Sequence, residues 1–348
     1  MIEVSTSAAR LLSPEEIAMR AGEQPSFLHA PEPDLFAQRS LRLRELGAGH
    51  ALRDYLLFLA DVAQAQHELF QAPAALTLPT AKRIDAAARA GRPLLDTADW
   101  SRDPAWRAAI RQLMDLLAKR MAKQMASGAA RETVLRLASA SDDWLEAQAQ
   151  RILGGMTLDL DLAGAPLVAA GLQLYWTRLV AQTQARFDAE GPGRANALTP
   201  FGRIADPTVC PCCGSRPVAS ITRVGAQGSG VRYLSCGLCS MQWHYVRVKC
   251  SRCQGTKGIS FQSLVAQDGI AASEAVQAEC CEFCGHYLKI VHMEKDLHVE
   301  PVADDLASLT LDLLVSDTGL QRQGVNLLLW FGDSQAANPA PPPDPGGV

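Results

Sequence analysis

Apolar residues recur at helical spacing through the first 190 residues. In residues 50–70, Leu52, Tyr55, Leu56, Leu59, Val62 and Ala63 fall on one face of a helix. Asp103-Pro104 opens another, since proline suits the first helical turn; Trp106, Ile110, Leu113, Met114, Leu117 and Met121 form its apolar face. Residues 165–188 are apolar nearly all round, which predicts a central, buried helix. Ser13-Pro14-Glu15-Glu16 reads as a capping-box start. Residues 34–47 read as an arginine-rich amphipathic helix stopped near Gly47 and Gly49, and shorter helices are predicted over 80–90, 130–139 and 141–153. No strong two-residue alternation interrupts this pattern, so residues 1–190 are expected to form an all-helical domain of seven or eight helices.

The pattern then changes. Residues 191–207 are rich in glycine and proline and read as a linker. Beyond them come short β-type segments: Arg232-Tyr233-Leu234, Trp243 to Val248, Ile259-Ser260-Phe261 and Tyr287 to Val291. Asp304-Asp305-Leu306 starts a helix that runs to about Ser316, with acidic residues favourable at its N-terminus. The last residues, 334–348, are rich in proline and glycine and are expected to be disordered. The expected fold class is α+β, with six parts: a helical domain (1–190), a linker (191–207), two small tandem β units (208–248 and 249–300), a C-terminal helix with its extension (301–333) and the tail (334–348).

Composition narrows the function. The chain has 348 residues, 48% hydrophobic and 20% charged, enough apolar content to bury a core. Its net charge of −4 offers no global positive field for nucleic acid or anionic membranes. The longest apolar stretch, Leu162 to Leu172, contains Gly164 and Pro166 and falls far short of the ~20 residues that span a bilayer. The opening lacks a basic segment followed by an apolar one, so a cytoplasmic protein is expected.

The cysteines carry the chemistry. All 10 lie between Cys210 and Cys284. Eight form C-x-x-C pairs: Cys210/Cys213, Cys236/Cys239, Cys250/Cys253 and Cys281/Cys284. A disulfide framework needs an oxidising compartment, and thioredoxin-type pairs need a βαβ setting. Thiolate ligation fits better, because a two-residue gap lets both sulfurs of a turn face one ion and two turns complete a tetrahedral site. The gaps of 22, 10 and 27 residues favour sequential pairing, although a cross-braced pairing, first with third and second with fourth, stays open. All-sulfur sites suit zinc or iron. Gly214 and Gly285 follow the first and last pairs, where a turn around a metal favours positive φ. Such β units have too little core to fold alone, so the metals are expected to supply much of their stability. From Thr208 to Lys295 there are nine Lys/Arg and five Asp/Glu, a formal +4 that two divalent four-thiolate sites at −2 each cancel. That balance argues against a zinc-ribbon nucleic-acid binder.

Several stretches together resemble the formate dehydrogenase accessory protein family, FdhE. They are Cys210-Pro-Cys-Cys-Gly-Ser-Arg-Pro-Val218, Arg232-Tyr-Leu-Ser-Cys-Gly-Leu-Cys239, Trp243-His-Tyr-Val-Arg-Val-Lys-Cys-Ser-Arg-Cys253, Val302 to Leu314 and Gly324-Val-Asn326. Gly49-His-Ala-Leu-Arg-Asp-Tyr55 and the Arg39/Arg42 helix are similar to the family's opening. The resemblance implies a cytoplasmic, non-catalytic accessory protein. It would bind the catalytic subunit of a respiratory formate dehydrogenase and assist its maturation or proofreading before export. It also implies rubredoxin-like iron at the C-x-x-C pairs. An alternative is an electron-transfer protein using Fe(Cys)4 sites. A homodimer also stays open.

Other residues read more plainly. His244, His286, His292 and His298 are not expected as ligands, because eight thiolates already fill two sites. Cys212 and Cys280 read as unreactive thiols beside the ligands. Asp304 and Asp305 read as helix-capping or surface groups, and Arg39, Arg42 and Arg44 as a solvated face. The Trp243-to-Lys249 strand fits a recognition surface or the core of its β unit equally well.

Overall fold

The structure, a computed structural model, describes residues 26–123, 128–189, 199–225, 228–264 and 274–331. The capping box at Ser13, the tail 334–348 and residues 191–198 of the linker lie outside the described residues. Among the described residues, seven helices build the first half: α1 (Leu35–Gly47), α2 (Arg53–Gln71), α3 (Ala81–Arg89), α4 (Ala105–Lys123), α5 (Ala129–Ala138), α6 (Asp142–Gly154) and α7 (Ala165–Ala189). Side-chain hydroxyls cap two of them, Thr80 on Arg83 N–H for α3 and Ser141 on Trp144 N–H for α6. The all-round apolar α7 is the central helix, buried from Ala165 through Val180. It crosses α4 closely at Gly171, where a Cβ would come within 2.9 Å of the Ile110 Cβ.

The second half is one mixed sheet. Its strands are β1 (Leu28–His29), β2 (Pro217–Gly225), β3 (Gly228–Cys236), β4 (Gln242–His244), β5 (Ile259–Gln262), β6 (Val276–Cys281), β7 (His286–His292) and β8 (Gln321–Arg322). They run in the order β1-β4-β3-β2-β7-β6-β5, with β8 on β7. The two β units meet where β2 and β7 pair in parallel, Ile221 opposite Val291. They are therefore two halves of one sheet. The helical half supplies the edge strand β1, with Leu28 opposite Trp243. The main core also runs through, joining α2, α4 and α7 to Cys210, Leu234, Cys239 and Trp243.

The C-terminal segment is two short helices, α8 (Pro301–Ala307) and α9 (Leu309–Asp317), meeting at Ser308. Glu300 caps α8 by accepting from Ala303 N–H, with Pro301 at the first helical position. Here the structure corrects two expectations. Asp304 and Asp305 are buried, and so are Arg39 and Arg42. Arg39 pairs with Glu300 at 2.9 Å, and Arg42 pairs with Asp304 and Asp296, each at 2.7 Å. Only Arg44 keeps an exposed position, beside Asp61. Asp305 pairs with Lys289 of β7 at 3.0 Å and with Arg322 of β8 at 2.6 Å, and Lys289 also reaches Asp312 at 2.6 Å. A helical step turns adjacent side chains about 100° apart, so Asp304 faces α1 while Asp305 faces the sheet.

Burial opposes ionisation of Asp305, but Arg322 and Lys289 outweigh it and hold this carboxyl below the usual range. The stability it contributes is present above its unfolded value, near 4, and is lost as pH falls through the lower folded value. Lys289→Met should cost about 3–5 kcal/mol, because it strips a cation from buried carboxylates. Urea unfolding at neutral pH measures this. A loss below about 1 kcal/mol, the scale of an exposed pair, would show that the cluster does not hold α8 to the sheet.

Candidate metal centre

Each C-x-x-C pair sits in a tight turn closed by a backbone N–H that meets a carbonyl or a sulfur of the pair's first cysteine. In the first, Gly214 N–H donates to Cys210 O at 2.9 Å. In the second, the N–H groups of Leu238 and Cys239 both point at Cys236 Sγ, 3.4 Å away. In the third, Arg252 N–H points at Cys250 Sγ, also at 3.4 Å, and in the fourth Gly285 N–H donates to Cys281 O at 2.9 Å. One feature repeats in all four. The residue after the second cysteine has positive φ: Gly214 at 76°, Ser240 at 59°, Gln254 at 62° and Gly285 at 69°. Two of the four bear side chains that disfavour this conformation.

The turns bring the sulfurs together as two quartets, Cys210/Cys213/Cys236/Cys239 and Cys250/Cys253/Cys281/Cys284, each with its Sγ atoms within 4.8 Å of one another. In the first, Cys210–Cys239 and Cys213–Cys236 are 3.5 and 3.4 Å apart. In the second, Cys250–Cys284 and Cys253–Cys281 are 3.7 and 3.8 Å apart. A tetrahedral thiolate site with metal–sulfur bonds near 2.3 Å sets neighbouring sulfurs about 3.8 Å apart. The quartets therefore fit an ion with little rearrangement. All ten cysteines are unpaired by disulfides. Burial resists ionisation of Cys210, but hydrogen bonds from Cys212, Cys236 and Cys239 outweigh it and bring this thiol to about 6. Burial and neighbouring thiols push Cys239 well above the ordinary range. A bound cation would favour the thiolate form throughout.

The surroundings of the quartets differ. The first is wholly buried in the core shared with the helices. Gln173 of α7 donates to the Gly237 carbonyl at 2.7 Å, and the 95–97 segment bonds to the Cys212 and Cys213 carbonyls at 2.8 and 3.1 Å. The second lies at the margin: Cys253 and Cys284 are half-buried, and Phe283 between its ligands is 81% exposed. Its inner side is held by Gln323, which donates to the Ser251 carbonyl at 2.9 Å and accepts from the Ser251 hydroxyl at 3.1 Å.

Cys212 and Cys280 lie outside the quartets. Both are buried, and burial together with Glu279 pushes the Cys280 thiol up to about 11. The four histidines also lie outside. His286 bonds to the Cys284 carbonyl, His292 to Thr222 and Gln277, His244 packs edge-on to Tyr233, and His298 is exposed near Glu45. Trp243 and Tyr245 are core, whereas Val246, Arg247 and Val248 are exposed. Gln173 went unnoticed in the sequence, although a glutamine within an all-apolar helix is itself a signal. Gln323 carries no such mark.

The fold and these quartets define a class: a helical domain carrying a sheet with two four-cysteine sites able to hold metal ions. The comparisons narrow it further. Three family models match in succession: FdhE, N-terminal, over residues 24–191; FdhE, central domain, over 209–247; and FdhE, C-terminal domain, over 248–329. A Cronobacter sakazakii protein, "Protein FdhE homolog", is 37% identical over 89% of this chain and 93% of its own. A Pseudomonas aeruginosa protein of the same description is 37% identical over 92% of this chain and 97% of its own. The crystal structure of the FdhE protein from Pseudomonas aeruginosa superposes with a TM-score of 0.71 and 32% identity, covering 88% of this chain and all of that one. The chain belongs to the FdhE family.

Each quartet is expected to take one ion. Replacing Cys210 and Cys213 by serine should leave one metal equivalent where the unaltered chain takes two, counted by elemental analysis. Two equivalents retained would refute the first assignment. Because the second quartet is open at one side, a chelator should remove its ion first, and Cys281→Ser with Cys284→Ser should abolish that faster phase.

Proposed function

We propose that the protein is a non-catalytic accessory factor for formate dehydrogenase, with each cysteine quartet holding a metal ion. Family membership along nearly the whole chain is the observation that carries the accessory role. Convergence of eight sulfurs on two points supports the metals. The donor set accepts iron or zinc, and iron is the reading we favour because the resemblance to the FdhE family implies it. Metal would add to the stability of the sheet by tying its C-x-x-C turns together in pairs. No helix among the described residues is long and apolar enough to cross a membrane. By this proposal the factor meets the catalytic subunit in the cytoplasm before export, as a chaperone or proofreading partner. In this reading residues 1–190 form the helical platform, and 208–248 and 249–300 each contribute one metal unit.

The test is an anaerobic pull-down from formate-respiring cells with the protein tagged at its C-terminus. A formate dehydrogenase catalytic subunit should come with it and should be lost from a variant with all eight quartet cysteines changed to serine. Recovery of no such subunit, with stoichiometric iron and a reversible redox signal in the same sample, would replace the accessory reading with electron transfer.

A further inference from the structure

The chain reaches the second quartet outside the sheet ladder. After β4 ends at His244, residues 245–249 run without regular structure up to Cys250. The other half of the quartet arrives on β6, which ends at Cys281. One buried side chain from the first unit grips both approaches. Arg232 of β3 lies four residues before Cys236. Its Nη1 faces the carbonyls of Val246, Arg247 and Lys249 at 3.5, 3.3 and 3.1 Å. Its Nη2 pairs with Glu279 of β6 at 2.9 Å, two residues before Cys281. Its Nε and Nη2 also bond to the Ser220 hydroxyl of β2 at 3.2 and 2.9 Å. Tyr245, whose ring lies 5.5 Å from the guanidinium carbon, donates its hydroxyl to the Cys250 carbonyl at 2.9 Å.

We propose that Arg232 is a positioning residue for the second metal site: it fixes the backbone ahead of Cys250 against the strand ahead of Cys281, so that the four sulfurs converge. The proposal rests on the metal-binding reading above. Only a planar, five-donor guanidinium can serve three carbonyls, a hydroxyl and a carboxylate from one buried point. A lysine ammonium has three donors at a single atom. Partners of this kind beyond the ligands set how well a site is organised, and losing one typically weakens metal binding 10–100-fold. The second site then depends on the fold of the first unit, because its anchor belongs to β3.

The test uses the full metal-free chain, titrated anaerobically with cobalt(II), whose thiolate charge-transfer and ligand-field bands report four-sulfur binding. A variant with Cys281→Ser and Cys284→Ser supplies the signature of the first site alone. The main variant combines Arg232→Met with Glu279→Met, because an apolar pair commonly replaces a buried ion pair without loss of folding. The first equivalent should bind as in the unaltered chain, and the second should weaken about 10–100-fold. A second equivalent within about twofold of the unaltered chain, or equal weakening of both, overturns the proposal, since a purely structural role would not single out one site. Should the double variant fail to fold, Arg232→Lys decides: it keeps a charge for Glu279 but cannot span the three carbonyls, and an unweakened second equivalent again overturns the proposal. If the unaltered chain takes up no cobalt, the metal-binding reading itself has failed, which is a different result.

Discussion

Two adjacent carboxylates on one short helix tie the molecule together. Asp304 reaches Arg42 on the first helix of the platform, and Asp305 reaches Lys289 and Arg322 on the sheet. Both carboxylates are buried, so neither charge can fall back on water, and each demands its partner. α8 is thereby locked between platform and sheet, and Glu300 extends the lock by capping α8 while holding Arg39. An apolar helix could have filled the same space with more latitude in its position. The paired charges specify one seating.

That seating brings the cysteine sheet against the helices, and the two quartets occupy unlike surroundings as a result. The first is part of the common core, braced by Gln173 and by the 95–97 segment. The second rests on backbone held from behind, by Gln323 on Ser251 and by Arg232 on the approach to Cys250. Similar local turns, each closed by a residue at positive φ, thus serve one site sealed among helices and one open at the margin.

The helices were legible because their periodicity is local. A run expected over 165–188 is observed as Ala165–Ala189, and one expected over 141–153 as Asp142–Gly154. The quartet cysteines were legible because ligand spacing is a property of a single turn. What escaped depends on distant partners. Nothing near Arg39 or Arg42 announces that carboxylates more than 260 positions away will bury them. The parallel pairing of β2 with β7, which merges two units into one sheet, joins residues about 70 positions apart, as Ser220 does with Ile290. Ser240 and Gln254 hide the left-handed turn position that Gly214 and Gly285 advertise, because their side chains do not reveal the strain they accept.

The separation between Arg39 and Glu300 also has a meaning in time. A ribosome adds about 5–20 residues each second, so roughly 15–50 seconds pass between synthesis of the arginine and of its partner. During that interval α1 can form, yet its guanidinium groups have no carboxylates from α8 to enter the core with. The platform lacks these buried pairings until residues 300–304 have been made. A segment made late therefore closes a helix made early, and a nascent chain cut short before residue 300 would lack the carboxylates that bury Arg39 and Arg42 in the folded protein.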